Sequence, residues 1–203
     1  MSTYAQLRAD IADWLNRDDL TNQIPTFIRL AEARFNRDLR VRQMVKRAVS
    51  ETDSGANHVT LPGDWLEARL IRADLNGRLA VLEYLTLEGG DNYHHPGPAR
   101  YFNITGNRLE LIPAPPDGTE VEMIYYGKIP ALSDEEPTNW LLDTWPDQYL
   151  YGTLAHTAPY LKDDERVATW AALYDRGLEE IRLADDRAHH SKFNLRARAR
   201  SIG

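Results

Sequence analysis

The sequence has 203 residues, a length that favours one domain or one domain carrying a sizeable insertion. Hydrophobic residues make up 42% and charged residues 27% of the chain, which excludes wholesale disorder, a collagen-like chain and a membrane protein. The N-terminus lacks the basic and apolar regions of a signal peptide. Because the sequence contains no cysteine, it excludes disulfides, thiolate metal sites and cysteine nucleophiles, and it predicts a cytoplasmic compartment.

The net charge of −7 is unevenly distributed along the chain. Residues 25–50 carry seven basic and two acidic side chains, residues 51–186 carry ten basic and twenty-five acidic ones, and residues 187–203 carry five basic side chains and no acid. An acidic body with two basic segments predicts faces that meet different partners, or complementary faces on copies of the same chain. Clustering of surface charge without a function is the alternative.

Two amphipathic helices are predicted at the N-terminus. Thr3 and Gln6 have the spacing of a capping box, and an apolar stripe follows them. The stripe consists of Leu7, Ile11, Trp14 and Leu15. Pro25 is placed to begin the second helix, whose apolar face extends to Leu39. The polar loop between the helices is short, which predicts an antiparallel hairpin.

From about residue 44 the sequence takes the period of β-structure. The predicted strands include 66–75, 78–85, 100–104, 108–112 and 120–126. Asn76-Gly77 separates the first two of these strands and Gly106-Asn107 separates the next two, so each dipeptide predicts a two-residue hairpin turn. This block is predicted to be an antiparallel β module of five or six strands.

After Pro130 the sequence is again helical. Thr144 is predicted to cap a helix that has Pro146 as its second residue, and a long helix is predicted from about Asp164. Beyond Ala184 the apolar face of that helix ends, so the last residues are predicted to be a tail without a core of its own. Four tryptophans are predicted to anchor the core: Trp14, Trp65, Trp145 and Trp170.

The predicted fold class is α+β. Residues 1–43 and 131–187 supply two helix pairs that form a four-helix core, and residues 44–130 form an inserted antiparallel β module. Residues 188–203 form an extended basic C-terminal tail. One shared core is predicted because both ends of the chain carry apolar stripes and neither helix pair is long enough to be stable alone.

No catalytic signature is present in the sequence. It contains neither the serine-hydrolase elbow, nor a Walker A loop, nor an HExxH zinc motif. The two histidine pairs, His94-His95 and His189-His190, do not have ligand spacing with a carboxylate. We therefore expect a protein that is not an enzyme and that holds neither a cofactor nor a metal.

The basic segments supply the candidate interface residues. These are Arg34, Arg37, Arg40, Arg42, Phe193, Leu195, Arg196, Arg198 and Arg200. Lys46 and Arg47 continue the first group. Contact with an acidic protein surface is the favoured interpretation, since the acidic body would repel DNA. The alternative is a nucleic-acid-binding accessory protein that uses the Arg34–Arg47 segment.

Several segments together resemble the adaptor proteins of tailed bacteriophages. They are Ile24–Arg34, Arg37–Arg40, Leu61–Leu66, Leu111–Pro115, Tyr125-Tyr126 with Ile129-Pro130, Asn139–Leu142 and Pro146–Gly152. The segments occur in the family's order and span about residues 3–180, whereas the tail from about residue 185 lies outside the resemblance.

The resemblance implies a structural protein of the virion neck, made in the bacterial cytoplasm. Such adaptors form a dodecameric ring below the portal, extend the DNA channel and give the tail a docking platform. The implied partners are the portal protein, a tail component of the nozzle or stopper type, further copies of the chain, and packaged DNA that passes through the lumen without sequence-specific binding. No membrane partner and no catalytic residue are implied. The C-terminal tail is expected to become ordered only against a partner, the portal.

Overall fold

A computed structural model describes residues 2–17, 19–52, 56–86, 97–161 and 165–189. In these ranges the fold is mixed α+β, with five α-helices and two four-stranded sheets. The helices are α1 (Tyr4–Leu15), α2 (Ile24–Asp38), α3 (Trp140–Thr144), α4 (Pro146–Ala155) and α5 (Arg166–His189). The strands are β1 (Val45–Glu51), β2 (His58–Thr60), β3 (Trp65–Asp74), β4 (Leu79–Val81), β5 (Glu83–Tyr84), β6 (Tyr101–Thr105), β7 (Arg108–Ile112) and β8 (Glu120–Gly127).

The chain divides into two compact units. The helical unit comprises the described residues of 1–43 and 129–203, and the β unit comprises those of 44–128. Short 3₁₀ helices, Arg42–Met44 and Ala158–Tyr160, lie in the connecting segments. The helical unit therefore combines residues from both ends of the chain, and the β unit is continuous in sequence.

Aromatic side chains of α2, α4 and α5 meet in the core of the helical unit. The ring of Phe35 lies 5.0 Å from the ring of Tyr149 and 5.7 Å from that of Tyr174, centroid to centroid. All three side chains are fully buried. Gly152 lies against this cluster, where a Cβ would come within about 3.0 Å of Phe35. The absence of a side chain at residue 152 thus lets α4 pack closely against α2.

The first helix follows its predicted stripe with one exception. Thr3 caps α1 by accepting the backbone N–H of Gln6 at 3.2 Å, and Leu7, Ile11 and Leu15 are buried. Trp14 was predicted to be a core anchor, but it is 45% exposed. The buried residues follow an i, i+4, i+8 line, and Trp14 lies beside that line at the edge of the buried face.

The other tryptophans differ in burial. Trp170 is buried, as predicted, whereas Trp65 and Trp145 are only partly buried. Trp145, and not the predicted Thr144, is the N-cap residue of α4. It precedes Pro146, the first residue of α4, and it separates this helix from α3.

Helix α3 was not predicted. Asn139 begins it by accepting the backbone N–H groups of Leu141 and Leu142 through its side-chain oxygen. Both leucines are fully buried. One capping side chain and two buried leucines therefore hold this five-residue helix. The helix is too short to produce a recognisable apolar periodicity in the sequence. At the other end of this region, α5 runs to His189, two residues into the predicted tail.

The β unit consists of two sheets with the strand orders β1-β8-β3-β4 and β2-β7-β6-β5. We call them the first and the second sheet. Both contribute to one apolar core, which includes Ile71 and Met123 of the first sheet and Leu109 and Leu111 of the second. Core residues alternate along β8 as predicted, with Val121, Met123 and Tyr125 in the core cluster, whereas Glu122 is buried outside that cluster.

Both predicted hairpin turns are confirmed. Asn76 and Gly77 have φ values of 59° and 83°, the left-handed backbone that a type I′ turn requires. They connect β3 to β4, which pair in antiparallel fashion. Gly106 has a φ of 61° and connects β6 to β7. The pairing of residues 66–75 with the chain that follows Gly77 is therefore correct near the turn.

The prediction of one strand over residues 78–85 is wrong in its length. The strand that pairs with β3 ends at Val81, and the N–H of the buried residue Leu82 still donates to Ile71 of β3. The chain then passes to the second sheet, where β5 pairs with β6. The β5–β6 pair is parallel, so the module is not purely antiparallel, and it has eight strands in the described ranges. Burial of Leu82 in the core explains the transfer between sheets, because it fixes the chain where the two sheets meet.

Candidate interaction surfaces

Arg34 is held inside the helical unit by three contacts. Its guanidinium lies 3.3 Å from Asp38 on α2 and 3.0 Å from Asp175 on α5. It also lies 4.0 Å from the centre of the Tyr174 ring, a cation–π geometry. Arg34 therefore joins α2 to α5, a structural role that its charge alone did not indicate.

The next arginines along the chain differ in accessibility. Arg40 donates to the backbone carbonyls of Asn36 and Leu39 at the end of α2, where a positive charge is favoured. Arg42 lies 3.6 Å from Asp185 of α5. Arg37 is exposed and has no ion pair among the described residues. Arg37 is therefore the cation of this group that projects freely from the helical unit.

The cations that continue the basic segment belong to the β unit. Lys46 contacts Asp64 at 2.5 Å, and Arg47 donates to Glu122. Glu122 also accepts from Arg72 at 3.2 Å. The hydrogen bond from Arg47 holds the pKa of Glu122 below its ordinary value although the carboxylate is almost fully covered. Glu122 was expected on the polar side of β8, and two arginines bury it there.

The remaining candidate residues fall in the C-terminal tail. Phe193, Leu195, Arg196, Arg198 and Arg200 lie outside the described residues. His94-His95 and His190 do so as well. The interface role of the tail stays a prediction.

A buried glutamate organises the helical unit. Glu32 accepts the backbone N–H of Leu132 at 2.8 Å and the hydroxyl of Tyr149 at 3.3 Å. The Tyr149 oxygen in turn accepts from the Asn139 side chain, which also donates to the carbonyl of Pro130. Burial raises the pKa of the Glu32 carboxyl, and it also raises the pKa of the Tyr149 hydroxyl. The network fixes the segment that returns from the β unit, and sequence spacing could not reveal it.

The described residues do not contain a metal centre. No group of three or more histidine, aspartate or glutamate side chains in the described ranges is arranged to hold an ion. His156 follows α4, where burial and the nearby arginines Arg34 and Arg37 lower its pKa. Among the helices of the described ranges, none is both long and apolar enough to cross a membrane.

An acidic cavity of about 740 Å³ opens at one end of the β unit. Its carboxylates are Glu51, Asp74, Asp117 and Glu120, and its wall also includes the Asn76-Gly77 turn, residues 97–98 and the loop at residues 114–119. Because the turn and the loop are far apart in the sequence, a local sequence motif could not predict the cavity. The described residues that line it include four carboxylates and no lysine or arginine, so they give its walls a negative charge.

The ion pairs described above join neighbouring elements within each unit. No curated protein sequence matches the chain. A family model described as the SU10 adaptor protein matches residues 2–200. The chain therefore belongs to the SU10 adaptor protein family, a family of structural bacteriophage proteins.

Proposed function

We propose that the protein is the head-to-tail adaptor of a tailed bacteriophage. Copies of the chain form a ring, dodecameric as in the adaptors that the sequence resembles, below the portal protein. The ring extends the DNA channel and gives a tail component of the nozzle or stopper type its docking platform. The family match over residues 2–200 carries this proposal, because it covers both units of the chain.

The proposal assigns a task to each part of the chain. The helix pairs from residues 1–43 and 131–187 form the core of the ring, and the β module of residues 44–130 contacts neighbouring copies or the tail. The basic residues Arg34, Arg37, Arg40 and Arg42 and the tail residues beyond 188 contact partner proteins. Among the arginines, the exposed Arg37 is the first candidate for such a contact, since the other three are engaged within the helical unit.

The ion pairs of the basic segment within its own chain favour an adaptor over a nucleic-acid-binding accessory protein. Arg34, Arg42, Lys46 and Arg47 each contact a carboxylate of their own chain. A phosphate backbone would have to compete with these carboxylates for the same cations. We expect weak binding to duplex DNA that disappears at moderate salt, and retention of the isolated chain on DNA at moderate salt would favour the alternative.

Attachment to heads tests the proposal directly. Purified chain is mixed with tailless heads that contain the portal, and co-sedimentation is measured. We expect wild-type chain to sediment with these heads and not with portal-free capsid shells. Binding to neither particle would contradict the adaptor function.

Two variants locate the contact. Removal of residues 190–203 leaves α5 intact and should leave the melting temperature nearly unchanged while attachment is lost. Arg37→Glu should weaken attachment, whereas Arg29→Glu, at another exposed arginine of α2, serves as the matched control. Full attachment of the shortened chain would show that the tail is not the docking segment.

A further inference from the structure

One row of side chains crosses the whole first sheet of the β unit. Val49 on β1 faces Glu122 on β8, Glu122 faces Arg72 on β3, and Arg72 faces Val81 on β4. The centre of the row is closed on itself, because Glu122 is covered by Arg72 and by Arg47. The two ends are valines that are 48% and 58% exposed. The charges at the centre of the row are therefore paired, whereas the valines at its two ends are exposed to solvent.

The exposed apolar residues of the β unit are confined to the sheet edges. Among its described residues, the large hydrophobic side chains that are exposed are Val49, Leu79, Val81 and Tyr84. All four lie on β1, β4 or β5, which are edge strands. Single exposed apolar residues are normal on a protein surface, but their restriction to edges indicates a contact surface.

The backbone at the two edges of the first sheet is available for pairing. Thr52 and Leu82 donate their N–H groups inward, to Thr119 and Ile71 respectively. Because N–H and C=O directions alternate along a strand, the backbone groups of Val49 and Val81 point outward. Within the described ranges, no backbone hydrogen bond closes the outer side of β1 or β4.

Neither edge strand of the first sheet is blocked by a proline, although β4 is only three residues long. Proteins commonly block an edge with a proline or with a charge that projects outward. The sequences of β1 and β4 contain no proline. The two cations of β1 contact carboxylates of their own chain, Lys46 at Asp64 and Arg47 at Glu122. The aliphatic ends of the row are therefore left uncovered.

We propose that β4 of one copy pairs with β1 of the next copy, with Val81 of one chain beside Val49 of the other. A second copy is the occupant because one chain carries both edges, and their valines end the same row. The strands β1, β8, β3 and β4 alternate in direction, so adding β1 of another copy after β4 continues the antiparallel order. A contact between two different edges is heterologous. Its repetition forms a closed ring when the rotations between successive copies add up to a full turn. This inference rests on the proposed ring function and identifies a contact within that ring.

Cysteine cross-linking tests the pairing in a background free of native cysteine. Val49→Cys and Val81→Cys are introduced singly and together, and a short bis-maleimide joins neighbouring thiols without requiring an exact register. The double variant should give a ladder of cross-linked oligomers, and a mixture of the two single variants should give one cross-linked dimer. Val49→Cys combined with Leu183→Cys, an exposed position on α5, is the matched control and should give no ladder.

Charge insertion at the edge provides the second measurement. Val81→Lys should lose the higher oligomers in analytical ultracentrifugation while its melting temperature stays unchanged, because the side chain is exposed. Leu183→Lys should assemble like the wild-type chain. Normal assembly of Val81→Lys, or equally efficient dimers from Val49→Cys alone, would overturn the head-to-tail pairing.

The outcomes separate this inference from the proposed function. Rings that form and bind heads without a 49–81 cross-link would overturn the edge pairing and leave the adaptor function standing. A wild-type chain that assembles neither alone nor on portal-containing heads would contradict both.

Discussion

Among the described residues, the helical unit and the β unit each bury one glutamate, and the pKa values of the two carboxyl groups are shifted in opposite directions. Glu32 is 7% exposed and has a raised pKa, whereas Glu122 is 3% exposed and has a lowered pKa. The partners of Glu32 are a backbone N–H and a tyrosine hydroxyl, and those of Glu122 are two guanidinium groups. Burial alone raises the pKa of a carboxyl group, so the partner decides the outcome.

The interiors of the two units are built from different residues. The helical unit places polar side chains such as Asn139, Gln148 and Thr153 in its interior. The core cluster of the β unit is apolar, and the ion pairs of Glu122 with Arg47 and Arg72 lie on the opposite face of the first sheet. The aromatic and hydrogen-bonding contacts of the helical unit and the apolar core cluster of the β unit therefore stabilise different parts of the chain. Changes in the two units should consequently have separable effects.

The largest expected effect comes from the aromatic cluster of the helical unit. Phe35→Ala removes a fully buried ring that contacts Tyr149 and Tyr174, and it should lower the free energy of unfolding by about 3–5 kcal/mol. Chemical denaturation measures the loss. Hydrogen exchange then shows where the loss falls: protection should decrease in α2, α4 and α5 and remain in β3 and β8. Equal loss of protection in both units would contradict their separate stabilisation.

A smaller effect is expected where α4 and α5 approach each other. A Cβ at Gly177 would lie 2.0 Å from the side-chain oxygen of Gln148, whose amide donates to the carbonyl of Tyr174. Gly177→Ala must displace this buried amide, so it should cost about 1–3 kcal/mol in the free energy of unfolding. Gly63→Ala is the matched control, since a Cβ there meets no atom within 4 Å. A Gly177→Ala chain as stable as the control would disprove the close contact.

The smallest effects are the pH dependences of the two glutamates. The folded-state pKa of Glu32 is raised, so the protonated group stabilises the fold below its ordinary value of 4.5, and this contribution is lost as the pH rises through the folded pKa. The folded-state pKa of Glu122 is lowered, so its contribution is present above 4.5 and is lost as the pH falls through the folded pKa.

Two conservative variants test the opposite pH dependences of Glu32 and Glu122. Melting temperatures of wild type, Glu32→Gln and Glu122→Gln are compared as a function of pH. The advantage of wild type over Glu32→Gln should shrink as the pH rises above 4.5, and its advantage over Glu122→Gln should shrink as the pH falls below 4.5. Parallel curves for the two variants would show that their partners do not set the shifts.

Local signals in the sequence located much of the fold. The Asn76-Gly77 and Gly106-Asn107 turns are confirmed because the conformation of a two-residue turn depends on its own residues. The stripe of α1 and the alternation of β8 follow from periodicity. The family that the sequence segments resemble is confirmed by the match over residues 2–200.

Properties that depend on distant residues could not be predicted in this way. The passage of the chain between sheets at Leu82 depends on a core formed by strands up to β8. The partners of Arg34 and Arg42 lie on α5, more than 140 positions away. The sequence shows a positive charge at these positions, but only the packing of α2 and α5 shows that the charge is already neutralised.

Electron microscopy of virion necks tests the central claim most directly. An antibody against the chain, or a tag at its N-terminus, marks its position, and averaging determines the symmetry of the marked layer. The adaptor account predicts one layer of twelvefold symmetry between the portal and the tail, with DNA passing through its centre. Absence of the chain from the neck, or its presence only at another site of the virion, would contradict the account.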